Sequence, residues 1–207
     1  MKRYIDLSRT LTDKMPVYPG DPKPELKTIA TVEKDGYSDQ KVITGMHIST
    51  HIDAPSHGFK GMKNIDEFPV DKFIGRAWVL DARNKTQVDE SLFLSIQDQF
   101  QDDDCLLIRT GFEEIFGTEK YYNEFPAMTE SFAKILVERS AKIVAFDTSS
   151  PDYPPYNVHR ILLSNEVLII ENLCNLEALP LGKPFEIYAL PWKIDAAGAP
   201  VRVVASV

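Results

Sequence analysis

The stretch Gly45-Met46-His47-Ile48-Ser49-Thr50-His51-Ile52-Asp53-Ala54-Pro55-Ser56-His57 carries three of the chain's four histidines. His47, Ser49, His51, Asp53, Pro55 and His57 all fall on odd positions. In an extended backbone alternate side chains share a face, so this spacing predicts three imidazoles and a carboxylate aimed to one side. The other face offers Ile48, Thr50, Ile52 and Ala54, a set suited to packing on a core. A helix would align His47 with His51 but turn Asp53 away, and Pro55 would interrupt it. Imidazole nitrogens beside a carboxylate suit zinc, manganese or another first-row dication, and an aspartate can bridge two ions. A single histidine is more often a hydrogen-bonded core or surface residue; three on one face with an aspartate read as ligands.

Working outward, Ile5 to Leu11 reads as a strand, followed by the turning segment Met15 to Pro22 with its three prolines and one glycine. Ala77 to Leu80 and Cys105 to Ile108 are apolar runs of strand length, and Asp102-Asp103-Asp104 before the second reads as a solvated turn. Thr129 is placed to cap a helix with Phe132, Ile135 and Leu136 on its core side. Ile143 to Phe146 stops at Asp147, and Val167 to Ile170 stops at Glu171; Phe185 to Ala189 and Val201 to Val204 are further strands. Many strands with few long helices predict one α/β domain, residues 1–207, around a mixed sheet. Glu171 at a strand end sits where sites in α/β sheets gather. On spacing alone Glu171 and His159 serve equally well as solvated residues.

The net charge of −8 over 207 residues disfavours a nucleic-acid binder, which needs clustered Lys and Arg. The apolar runs fall far short of the roughly 20 residues that cross a bilayer. No apolar region follows Met1-Lys2-Arg3, so the expected location is the cytoplasm, with Cys105 and Cys174 as buried thiols rather than a disulfide.

His47-Ile48-Ser49-Thr50-His51-Ile52-Asp53-Ala54-Pro55-Ser56-His57 resembles the signature His-x-Gly-Thr-His-x-Asp-x-Pro-x-His of the cyclase-like metal-dependent hydrolases, which include bacterial kynurenine formamidase (arylformamidase) and isatin hydrolase. Ile5-Asp6-Leu7-Ser8, Tyr18-Pro19-Gly20-Asp21, Arg109 to Phe112, Phe146 to Asp152, and His159 with Glu171-Asn172-Leu173 are similar to other family blocks. The resemblance implies a swivelling β/β/α-type fold, a homodimer or homotetramer, and one or two divalent ions. It implies ligand roles for His47, His51, Asp53, His159 and Glu171, Asp53 being the bridge, and makes His57 the catalytic acid/base. It implies a small-molecule substrate, foremost an aryl formamide such as N-formylkynurenine of tryptophan catabolism. Lactam or other cyclic amide or ester hydrolysis, a cyclase or lyase reaction, and a non-catalytic metal binder are the alternatives. Ser49 stands where the signature has Gly, and Tyr18 and Phe112 where formamidases carry Trp. Ser49, Tyr18 and Phe112 are therefore the expected substrate contacts.

Overall fold

The computed structural model describes residues 2–207. The strands are β1 (Tyr4–Asp6), β2 (Glu25–Ala30), β3 (Asp39–Ile43), β4 (His51–Asp53), β5 (Ile74–Asp81), β6 (Gln87–Val88), β7 (Cys105–Arg109), β8 (Ala127–Met128), β9 (Ile143–Phe146), β10 (Leu168–Glu171), β11 (Phe185–Pro191) and β12 (Gly198–Ser206). The α-helices are α1 (Val32–Asp35), α2 (Glu119–Asn123), α3 (Glu130–Glu138) and α4 (Asn157–Ser164).

One sheet runs β1-β12-β11-β5-β7-β9-β10-β4, and β4 pairs back onto β12. Seven strands thereby close into a barrel-like ring, with β1 added on β12. The neighbours β5–β7, β7–β9 and β9–β10 are parallel and the remaining pairings antiparallel, the mixed sheet expected of this α/β chain. Closure leaves strand residues buried on both faces. Val79, Leu107, Ala145 and Ile170 join the apolar interior of the ring, while their neighbours Trp78, Leu106, Val144 and Ile169 pack outward against Phe132, Leu136 and Leu162 of α3 and α4. That is why these strands read as continuous apolar runs instead of alternating ones. Thr129 caps α3 as expected, its hydroxyl accepting the Phe132 N–H.

Two expectations are corrected. Asp104 is buried, because its carboxylate accepts from Arg76 Nε at 2.8 Å, Arg76 Nη2 at 2.7 Å and Trp78 Nε1 at 2.8 Å. The Arg76 pair and the indole N–H replace the water it leaves behind, so only the two preceding aspartates are solvated. The strand expected over Ile5 to Leu11 ends at Asp6, and the chain then turns to brace the site. Cys105 and Cys174 are free thiols, the first buried and the second half-buried.

Candidate metal centre

The extended reading of residues 47–57 holds only for β4. Ser49 has φ 58°, in the left-handed region, and Pro55–His57 form a 3-10 turn. The side chains converge through that bend and through strand register. β4 lies between β10 and β12, with His51 directly opposite Glu171 and Asp53 directly opposite Gly198. Opposed residues on antiparallel neighbours bring their Cβ atoms to about 5 Å, so register alone places an imidazole against a carboxylate. Ile48, expected on the core side, is buried and also borders the cavity.

Glycine, which the resembled signature has at this position, adopts a left-handed conformation without a Cβ penalty. Ser49 carries a Cβ there at a cost on the order of 1 kcal/mol. Its hydroxyl donates to the Arg9 carbonyl at 3.0 Å, while Thr50 Oγ1 accepts the Arg9 N–H at 2.9 Å and donates to the Asn172 carbonyl at 2.8 Å. Asn172 Nδ2 donates to the Ser49 carbonyl at 3.0 Å, and His51 Nδ1 lies 3.0 Å from that same oxygen. The bend is thus locked from three sides, and His51 Nε2 is left facing the site. Gly198 is needed for closeness: a Cβ there would meet the Ile52 carbonyl at 2.7 Å and His47 Cε1 at 2.9 Å.

Two groups of possible ligands result, His47/His51/Asp53 and Asp53/His159/Glu171, each with its donor atoms within 4.8 Å of one another. Asp53 belongs to both. Its Oδ1 lies 2.6 Å from His47 Nδ1 and 3.5 Å from His51 Nε2. Glu171 spans the other side, 3.3 Å from His51 Nε2 and 3.3 Å from His159 Nε2. His159 comes from the first turn of α4. His57 stands beside both groups and belongs to neither; its ring packs on His47 at 3.9 Å between centroids and lies 6.2 Å from His159.

The electrostatics demand positive charge. Burial penalises the Asp53 carboxylate, yet the His47 and His51 imidazoles overrule it and hold its pKa well below the usual range. Burial also works against the His51 and His159 cations. The carboxylates of Asp53 and Glu171, with Asp152 at His159, outweigh it and push these pKa values up to about 9 and about 10. Imidazoles that are driven to take up protons here are those that would give them up to a divalent cation. Three imidazoles and two buried carboxylates fit a first-row dication in donor type and in charge. For His57, burial is the leading effect and is reinforced by His47 and His159, so its pKa moves down.

A cavity of about 460 Å³ opens over these groups. Tyr18 and Ser49 border it, but Phe112 does not; Phe116, one turn further on, forms that wall instead. Sequence reading also passed over Asp152. Its Oδ1 lies 2.6 Å from His159 Nδ1 and its Oδ2 accepts the Val158 N–H at 2.7 Å, which orients the imidazole so that Nε2 meets Glu171. Asp152 closes the Phe146–Asp152 block that resembles the family, but nothing local marks it as a carboxylate that reaches seven residues ahead. Outer groups of this kind are worth about 10–100-fold in metal affinity. Asp152→Asn is therefore expected to weaken metal binding by that order, measured by competition with a chromophoric chelator. Unchanged affinity would remove Asp152 from the site.

The model of the Cyclase family matches residues 5–153, which include β4 and the His47–His57 stretch. The chain belongs to the Cyclase family. An uncharacterized protein of Methanocaldococcus jannaschii is 33% identical to this family member over 97% of both chains. The kynurenine formamidase of Bacillus cereus is 27% identical, over 97% of this chain and 96% of its own. Among solved structures, isatin hydrolase A from Labrenzia aggregata superposes with a TM-score of 0.88 at 26% identity, covering all of this chain and 94% of its own. Among the described residues, no helix is long and apolar enough to cross a membrane.

Proposed function

We propose that this Cyclase-family protein is a metal-dependent amide hydrolase acting on a small aryl formamide of the N-formylkynurenine kind. The observation that carries the reading is Asp53, shared by two ligand groups, with His57 poised beside both and bound into neither. His47, His51, Asp53, His159 and Glu171 would hold one or two divalent ions, zinc or manganese, whose chemistry is to acidify water and polarise a carbonyl. The chain's own residues do the rest. His57, whose pKa is moved down chiefly by burial, takes a proton from the attacking water and returns it to the amine nitrogen as the C–N bond breaks, leaving formate and an arylamine. Tyr18, Phe116 and Tyr156 offer aromatic surface for the ring. The closed sheet with α3 and α4 outside it is read as the swivelling β/β/α arrangement, with 1–207 as one domain, and the expected location is the cytoplasm.

Ring opening of an isatin-like lactam is the second reading, favoured by the likeness to isatin hydrolase A. Metal-replete protein assayed for formate release from formanilides and for opening of lactams separates the two. Turnover that survives full metal removal would overturn both.

The protein is further read as a homodimer or homotetramer. Among the described residues β2 and β3 pair only with each other, and Ile29, Val42 and Ile43 on them are exposed. A two-stranded ribbon gains little stability alone, which supports its packing against a second copy. Light scattering is expected to give two or four times the mass of one chain, and Ile29→Lys with Val42→Lys to shift it towards the monomer. A wild-type monomer would sink this assignment.

A further inference from the structure

Arg160 follows His159 at the end of the first turn of α4 and lines the cavity, exposed to solvent. Among the described residues it is the only Lys or Arg that lines the cavity. Among the described residues its guanidinium has neither an ion pair nor a hydrogen bond; its backbone N–H alone is engaged, with the Tyr156 carbonyl at 3.2 Å. Helix stability does not explain it, since a cation in the first turn works against the helix dipole. The terminus of α4 is already answered by the Asp152 carboxylate, which accepts the Val158 N–H at 2.7 Å and turns to His159, not to Arg160. The unpaired Arg160 guanidinium therefore favours an anion at one edge of the cavity mouth.

The surrounding charge makes that edge selective. The chain carries a net −8, a field that repels anions generally. Of the acids that line the cavity, Asp53 and Glu171 are buried among the candidate ligands, and the exposed Asp21 shares the mouth with Arg160 without pairing to it. Deeper in, the hydroxyls of Ser149 and Tyr122, both residues of the cavity wall, are buried without a partner. The wall beside the metal groups thus has unmet hydrogen-bonding capacity, and the mouth has unmet positive charge.

We propose that Arg160 is a specificity-determining residue that selects substrates whose aryl portion carries a carboxylate. The inference rests on the amide-hydrolase reading and deepens it. The substrate is then bipolar, with its amide at the metal centre, its ring on the aromatic wall and its carboxylate on Arg160.

The test uses metal-loaded protein and two formanilides whose ortho side chain ends in a carboxylate or in the isosteric carboxamide. Wild type is expected to favour the carboxylate by about tenfold in kcat/KM, as a charge-assisted contact supplies. In Arg160→Gln that ratio is expected to fall to about one, through KM. Arg160→Lys should recover part of it, and Asp21→Asn should raise it. The two arylamine products are titrated as well, so that selectivity is read from binding without turnover. Absence of turnover of both compounds by wild type would sink the hydrolase reading, and product binding would then decide Arg160 by itself. A carboxylate-to-carboxamide ratio equal in wild type and Arg160→Gln overturns the inference.

Discussion

Asp53→Asn is expected to strip the protein of its divalent ions and lower formamide turnover on the order of 10³-fold, since several kcal/mol of charge stabilisation leave with the cation. Asparagine keeps the size of the side chain and one oxygen but loses the charge. Asp53 is where that loss costs most, because it alone serves both ligand groups. Every other candidate ligand belongs to one. The backbone around it is held by pairing with β10 and β12, so the fold is expected to persist and the loss to be local. Elemental analysis after dialysis, beside a thermal melt, checks this. Full metal content in a folded Asp53→Asn protein would show that the bridge lies elsewhere.

The second large effect separates binding from catalysis. His57→Ala is expected to retain metal stoichiometry while turnover falls by about 10²–10⁴-fold, the range that a positioned acid/base supplies. His57 hangs on a 3-10 turn just beyond β4 and touches the cluster through the His47 ring. Its removal leaves the five candidate ligands with their own partners. His57→Ala protein that loses its metal would make His57 a ligand, and one that keeps its activity would leave the proton transfer to another group.

Much of this was legible from local pattern. The apolar runs at Ala77–Leu80, Cys105–Ile108 and Ile143–Phe146 announced strands because a sheet closed on itself buries both faces, and Thr129 announced α3 by its hydroxyl. The histidine-rich stretch announced a candidate metal site by residue type. Its stated geometry was too simple. Alternation would have required extended backbone throughout, whereas Ser49 turns left-handed and Pro55–His57 coil. The imidazoles still come together, but it is the bend and the strand register that gather them.

The sequence by itself determined which groups are available: the imidazoles, the carboxylates and the strands that end in them. Only the tertiary structure decided which of them meet. His51 faces Glu171 across 120 positions of chain because β4 closes the ring between β10 and β12. Asp152 turns back to hold His159, Gly198 clears the space for His47, and Phe116 takes the wall expected of Phe112. Local pattern reports the periodicity of one segment. Register, closure and close approach belong to pairs of segments, and no single stretch encodes them.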